Sequence, residues 1–281
     1  MSINSIQEFI QKALEEDIGE GDHTSLACIP NSAIGKAHLL VKQNGIIAGI
    51  ELADKIFSHL DPTLNFIKKI EDGKKVTEGD IAFTIQGKTQ SILSGERLVL
   101  NCMQRMSGIA TYTHETQNLL KGSKAKVLDT RKTTPCFRMM EKWAVKIGGG
   151  ENHRIGLYDM IMIKDNHIDF KGGIKPAIQA TKDYLEANNK KLKICIEARS
   201  LSDVKDILKV GLIDRIMLDN FSPEELKNAI EVIGNQFETE ATGGITKENI
   251  KDYAQSGVDF ISMGALTHSA GSLDLSLKAV N

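Results

Sequence analysis

Apolar positions recur along this chain with two different rhythms, and the change between them divides it. Ile6, Phe9, Ile10, Ala13 and Leu14 share one helical face, which predicts an opening amphipathic helix that stops near Gly19 and Gly21. Ala37 to Val41 and Ile46 to Ala48 flank Asn44-Gly45, the pattern of a two-residue β-hairpin. A helix is expected from Glu51 to Leu60, then short strands around Phe66, Val76 and Phe83, punctuated by Gly73, Gly79 and Gly87. A long helical pattern covers Ser94 to Leu120. This first part reads as an α+β unit of its own.

Beyond it, apolar β-type runs end near Leu128, Ile163, Ile196, Leu218, Glu240 and Ser262. The last four ends are 22 residues apart, the length of one compact βα unit. Helical patterns fill the gaps at Leu201 to Val210, Pro223 to Ile233 and Lys247 to Gln255. Their start signals are Ser200 or Ser202, Ser222-Pro223-Glu224, and Thr246. Repeated βα units imply a parallel sheet, closed as a barrel or left open. The run ends carry Thr130-Arg131-Lys132, Lys164, Glu197, Asp219, Glu240 to Thr242, and Ser262. A barrel would bring all of them to one mouth, whereas an open sheet would strand the outer ones, so the expectation is a barrel.

Bulk properties narrow the function classes. With 281 residues, 41% hydrophobic and 26% charged, the chain has the composition of a soluble globular protein of one large or two smaller domains. A net charge of −2 argues against a general nucleic-acid binder. No apolar run approaches membrane-spanning length, and the N-terminus lacks a signal-peptide pattern. Cys28, Cys102, Cys136 and Cys195 include no CxxC pair, which argues against zinc and against a disulfide framework. A cytoplasmic protein with reduced thiols is expected.

Against this mildly acidic background, fixed cations gather at strand ends. Arg131, Lys132 and Arg154 could hold an anion with several charges, since guanidinium forks match carboxylate oxygens in pairs. The alternative is surface cations on loops. His153 could donate to the same anion, or be structural. Lys164 suits phosphate binding or a Schiff base, or it simply reaches water. Glu197 and Asp219 could hold a divalent cation, bind sugar hydroxyls or stabilise a positive carbon; for Asp219 a helix-capping role weighs equally. Thr242-Gly243-Gly244 and Met263-Gly264-Ala265 are glycine-bearing turns where barrels often bind phosphate. Arg105 lies on a helix face with Leu98, Cys102 and Ile109, so it needs an ion-pair partner or reaches a second subunit.

Six segments together resemble the quinolinate phosphoribosyltransferases: EEDIGEGDHTS, ERLVLNCMQRMSGIAT, DTRKTTP, GGGENHRIGLYDMIMIKDNHI, IMLDNFSPEEL and ATGGITKENIKDYAQSGVDFISMGALTHS. The resemblance covers essentially the whole chain, and the central block is highly specific. Departures are small: Cys136-Phe137 stands where Gly-Leu is common, Thr242 where Ser is common, and one residue is added around Leu212-Ile213. The resemblance implies an incomplete α/β barrel over residues 109–266 and an N-terminal α/β sandwich over 1–108, completed by the tail 267–281. It implies transfer of phosphoribose from 5-phosphoribosyl 1-pyrophosphate (PRPP) to quinolinate, with Mg²⁺ and no organic cofactor, giving nicotinate mononucleotide, pyrophosphate and CO₂. It also implies a homodimer, or a hexamer built from dimers, in which Arg105 is shared across subunits. By the same resemblance, Arg131, His153, Arg154 and Arg105 clamp the quinolinate carboxylates, with Thr130 beside them. Lys132 and Lys164 meet the anionic substrates and pyrophosphate, while Glu197 and Asp219 serve the ribose and metal. Thr242, Gly243, Gly244, Met263, Gly264 and Ala265 receive the 5′-phosphate. Two rivals stay open: a Schiff-base enzyme using Lys164, and a non-catalytic barrel that senses or carries an anionic metabolite.

Overall fold

The computed structural model describes residues 3–280, whose elements follow the change of rhythm. The first stretch holds α1 (Ile3–Ile18), α2 (His23–Cys28), β1 (Ile34–Val41), β2 (Gly45–Ile46), α3 (Ile50–Leu60), β3 (Asn65–Lys68), β4 (Lys75–Val76), β5 (Ile81–Lys88) and the long α4 (Thr89–Leu119). Then come β6 (Lys126–Leu128), α5 (Arg138–Ile147), β7 (Ile161–Ile163), α6 (Asp165–Lys171), α7 (Ile174–Ala187) and β8 (Ile194–Ala198). The last stretch holds α8 (Leu201–Val210), β9 (Arg215–Asp219), α9 (Pro223–Ile233), β10 (Glu238–Thr242), α10 (Ile250–Ala254), β11 (Phe260–Ser262), α11 (Ala265–His268) and β12 (Leu275–Ala279).

These elements form two compact units. Unit 1 comprises residues 3–114, 133–149 and 269–280. Its main sheet is antiparallel in the order β12-β1-β5-β3, so the tail strand β12 is an integral member. The core is aromatic: Phe83 lies 4.4 Å from Phe66 and 6.3 Å from Phe57, ring centre to ring centre. The tail is also pinned to α4, because Leu273 donates its N–H to the Gln104 carbonyl and Gln104 Nε2 donates to that of Leu275. Helix α5 belongs to this unit although its sequence neighbours do not.

The expected hairpin across Asn44-Gly45 is not formed. Both edges of β1 are already taken, by β5 and β12, and β2 pairs with β4 instead. Neither Asn44 nor Gly45 has the positive φ that a two-residue hairpin turn of this kind requires. Gly45 serves close approach: a Cβ there would sit 2.7 Å from Thr111 Oγ1, the atom that accepts the Ile46 N–H.

Unit 2 comprises residues 115–132 and 150–268. Its six strands are parallel in the order β6-β11-β10-β9-β8-β7, with helices following β7, β8, β9, β10 and β11. Apolar residues in β8 and β9 are buried almost without alternation, as expected of a parallel sheet covered on both faces. Strands β6 and β7 do not pair, which leaves the barrel incomplete. A parallel bridge, Leu128 to Glu151, extends the free edge of β6. Ser200 and Ser222 cap α8 and α9 with their hydroxyls, as expected. For α10 the cap is Asn249 rather than Thr246; the Asn249 side chain accepts the Thr246 N–H and shortens the helix.

Candidate active site

Strands β6, β7, β8 and β9 end at or beside charged side chains and β10 and β11 end in glycine-bearing turns, and the parallel arrangement places these ends on one side. Directly after β6 comes Asp129, which is buried. Its carboxylate accepts the His153 N–H at 2.8 Å and the Asn152 side-chain amide, so the loop after the three glycines is tied to this strand end. Thr130 Oγ1 accepts the Lys132 N–H at 3.0 Å, while Thr267 Oγ1 donates to the Lys132 carbonyl at 2.8 Å. The Lys132 side chain passes over the β11 turn, since a Cβ on Gly264 would lie 2.9 Å from its Cδ.

Arg131, Lys132 and Lys164 are exposed, Arg154 is half-buried, and none has a carboxylate within ion-pair distance among the described residues. Burial, then repulsion from Arg131, lowers the pKa of Arg154. The Arg154 guanidinium is steadied by the Met160 carbonyl, 3.3 Å from Nη1. Two arginines that repel one another with no carboxylate in contact are arranged for an external anion.

The acids gather beside Lys164. Burial raises the Glu197 carboxyl above its ordinary range, and Asp219 and Asp165 raise it further against the opposing charge of Lys164. Asp219 is raised chiefly by burial, partly offset by a hydrogen bond from Asn220 and by Lys164 and Lys132. Asp219 is not a helix cap; α9 is capped by Ser222, leaving its carboxylate at the strand end. Sequence reasoning passed over Asp165, which follows the Lys164 strand end directly.

The glycine-bearing turns fall at neighbouring ends of β10 and β11. Gly243 and Gly244 have φ of +93° and +60°, and the Thr242 carbonyl accepts the Asn220 N–H at 2.9 Å. The Met263 N–H donates to the Leu128 carbonyl at 3.0 Å, joining the Met263–Ala265 turn to β6.

Behind this set lie Glu240 and Ser262, which the sequence marked only as run ends, and Arg215, which it did not mark. Glu240, fully buried in β10, accepts from His153 Nε2 at 3.1 Å, from Arg215 Nη1 at 3.0 Å and from Ser262 Oγ. Their signal was the arginine that opens β9 and the glutamate in the middle of β10, two residues after Glu238. His153, Cys195 and Glu240 bring a nitrogen, a sulfur and an oxygen within 4.8 Å of one another. Arg215 already supplies positive charge there, and burial pushes the Cys195 thiol well up, so the cluster is a poor cation site.

Arg105 lies in unit 1. Its Nε and Nη2 donate to buried Glu141 at 3.0 and 2.9 Å, and its Nη1 donates to the Ala270 carbonyl at 2.6 Å. The cation on the apolar helix face therefore has an intramolecular partner, which the sequence had left open.

Comparison with known proteins agrees with this architecture. Residues 22–107 match the family model described as quinolinate phosphoribosyl transferase, N-terminal domain, and residues 109–278 match its C-terminal domain. The chain is 45% identical to quinolinate phosphoribosyltransferase [decarboxylating] 1b of Nicotiana tabacum, covering 96% of this chain and 81% of that one. It is 41% identical to the probable nicotinate-nucleotide pyrophosphorylase [carboxylating] of Bacillus subtilis, covering 93% and 89%. The crystal structure of NadC from Streptococcus pyogenes superimposes with a TM-score of 0.93 at 35% identity, over 100% of this chain and 99% of that one. A split pair of family domains, full-length relatives and a matching fold agree: the chain belongs to the quinolinate phosphoribosyltransferase family.

Proposed function

We propose how this chain's residues divide the work of the family's reaction, in which quinolinate and PRPP give nicotinate mononucleotide, pyrophosphate and CO₂. One observation carries the assignment: Arg131, Lys132, Arg154 and Lys164 stand at the strand ends with no carboxylate in ion-pair contact among the described residues, and Arg131 and Arg154 repel one another. Both substrates are polyanions, so their mutual repulsion has to be overcome before the pyridine nitrogen can approach the anomeric carbon. Arg131 and Arg154 hold the two carboxylates of quinolinate, with Thr130 beside them, and Arg105 contributes from a second copy of the chain. Lys132, lying across the Gly264 turn, and Lys164 meet the phosphate groups of the donor.

Glu197 and Asp219 face the ribose. As pyrophosphate departs, positive charge develops at the anomeric carbon, and these carboxylates stabilise it without forming a bond. Their hard oxygen donors also fit Mg²⁺, which commonly keeps one or two carboxylates and completes its shell with substrate phosphates and water. When bound, Mg²⁺ supplies positive charge against the pyrophosphate. The turns at Thr242, Gly243, Gly244 and at Met263, Gly264, Ala265 offer backbone N–H groups to the 5′-phosphate. Once the pyridine nitrogen bears ribose it is cationic, and its charge stabilises the electron pair left on the adjacent ring carbon when the 2-carboxylate leaves as CO₂; that carbon then takes a proton from solvent. No covalent nucleophile is needed, and the solvent exposure of Lys164 suits anion binding.

A homodimer is part of this reading. It is supported by an apolar groove of about 570 Å³ along β7, beside which Leu157, Tyr158 and Phe170 are 71%, 72% and 92% exposed. Free thiols at Cys28, Cys102, Cys136 and Cys195 support placing the protein in the cytoplasm, and no helix among the described residues is long and apolar enough to cross a membrane.

Incubating the protein with quinolinate, PRPP and Mg²⁺ should yield nicotinate mononucleotide with equimolar CO₂ and pyrophosphate; anion binding without product would return the chain to a sensor or carrier. For the assembly, Arg105→Ala and Arg131→Ala should each be nearly inactive, and mixing them should restore activity through hybrid sites. No recovery after verified subunit exchange would mean that each site is built from one chain.

A further inference from the structure

The loop that carries Arg154 is anchored through a ring whose protonation state is dictated by its hydrogen bonds. The N–H of Arg154 donates to Nδ1 of His153 at 2.7 Å, so Nδ1 must present a lone pair. The proton of the neutral ring then sits on Nε2, which faces Glu240 Oε2 at 3.1 Å. An imidazolium would set its Nδ1–H against the Arg154 N–H at that short distance and break the first bond. His153 is almost wholly buried, and its own N–H is held by Asp129 at 2.8 Å.

Glu240 is in turn held from the far side. Arg215 Nη1 donates to the same Oε2 at 3.0 Å, and its Nε and Nη2 hold Glu238 at 3.1 and 2.9 Å. The guanidinium carbon lies 4.1 Å above the Phe260 ring, and Ser262 Oγ donates to Oε1 of Glu240. A carboxylate so enclosed persists only because each oxygen is satisfied. Burial opposes its ionisation, while the hydrogen bonds from His153 and Ser262 and the Arg215 charge favour it.

We propose that Glu240 is a positioning residue for quinolinate recognition: it locks His153 as the neutral Nε2–H tautomer, and that ring fixes the backbone from which Arg154 projects. His153 is then a neutral post behind the anion site rather than one of its cations. The inference rests on the assignment of Arg154 to the quinolinate carboxylates, but its first test does not.

The first test is nitrogen NMR of the full-length enzyme labelled in histidine, with His153→Asn used to assign the ring. At neutral pH the ring should carry one proton, on Nε2; an imidazolium or an Nδ1–H tautomer overturns the proposal. The second test is kinetic. Glu240→Gln should raise KM for quinolinate by about 10- to 100-fold while leaving KM for PRPP within about 2-fold, the split expected when one anion contact is misplaced by an ångström or less. An unchanged quinolinate KM, or a parallel rise in both, overturns the proposal.

Should Glu240→Gln fail to fold, a second pair decides. Asparagine at 153 can return an acceptor to the Nδ1 position, so His153→Asn should keep at least about 10-fold more kcat/KM for quinolinate than His153→Ala, as restoring one buried hydrogen-bond partner predicts. Equal losses overturn the proposal. If Arg154→Lys left the quinolinate KM unchanged, the Arg154 assignment would fall while the tautomer result stood, so the two failures are distinguishable.

Discussion

The Thr242-Gly243-Gly244 turn allows a paired experiment, because its two glycines have similar backbones and different surroundings. Both have positive φ, +93° at Gly243 and +60° at Gly244. A Cβ on Gly244 meets nothing within 4 Å, whereas one on Gly243 would lie 2.2 Å from Asn220 Oδ1 and 2.9 Å from the Asn220 backbone nitrogen. Gly244→Ala therefore incurs only the left-handed backbone cost, about 1–2 kcal/mol. That corresponds to a fall in Tm of roughly 2–8 °C for a chain of this size. Gly243→Ala incurs that cost and must also displace Asn220, an overpacking penalty of about 1–3 kcal/mol more. Asn220 cannot move alone, since its side chain donates to Asp219 at 2.7 Å. Gly243→Ala should accordingly lose about 10²-fold in kcat/KM for PRPP through misplacement of the Asp219 carboxylate, while Gly244→Ala loses far less. Calorimetry and initial rates with each substrate varied would measure both effects. Equal kinetic losses in the two variants would refute the reasoning, since the backbone term is common to both.

Two further outcomes follow from local geometry and charge. The Thr134 carbonyl accepts the Phe137 N–H at 3.2 Å, closing a turn with Pro135 second and Cys136 third at a φ of +61°. Cys136→Gly should raise stability by up to about 1 kcal/mol, the strain relieved less the extra freedom of the unfolded chain; an unchanged or lower Tm would count against it. Glu197 and Asp219 have folded-state pKa values raised above 4.5 and 3.8, chiefly by burial, so the folded protein binds their protons more tightly than the unfolded chain does. Their ionisation therefore weakens the fold at neutral pH, a loss that fades as pH falls from the raised values through the ordinary carboxylate range. Glu197→Gln and Asp219→Asn should raise Tm at pH 7, with a gain that shrinks on acidification, while activity collapses; a Tm gain that grew at low pH would reverse the sign and sink the argument.

The βα repeat was legible because parallel strands buried on both faces write themselves as apolar runs, and the Ser200 and Ser222 caps mark where α8 and α9 begin. Helix α5 was not legible for a physical reason: Glu141 and Lys142 are both fully buried, so polar letters occupy its core positions and mask the stripe. The false hairpin has the opposite cause. Asn44-Gly45 is a local turn signal, but the partners of β1 are chosen by strands far away in the chain. At the site, the strand-end cations and acids could be read from position alone. The roles of Glu240 and Arg215 could not, because a strand covered on both faces does not announce which side a charged residue faces.

Charge in unit 2 is sorted into two sets that each disfavour their own ionised state, and this sets how the protein should respond to its smaller substrate. Burial and Arg131 work against the Arg154 cation, while burial and neighbouring acids work against Glu197 and Asp219. A dianion placed on Arg131 and Arg154 relieves the first set. It should therefore bind without PRPP and stabilise the folded state by linkage, about 2.7 kcal/mol at a concentration 100-fold above Kd. For a chain of this length that is a rise of roughly 5 °C or more in Tm. Nicotinate lacks the 2-carboxylate and satisfies only one half of the pair, so at equal concentration it should shift Tm much less and should not turn over. Added salt should erode the quinolinate shift, because Arg131 is exposed and screening acts over about 8 Å at physiological ionic strength. Equal shifts by the two acids, or a quinolinate shift indifferent to salt, would mean that the unpaired arginines do not hold two carboxylates, and the residue assignments built on them would have to be redrawn.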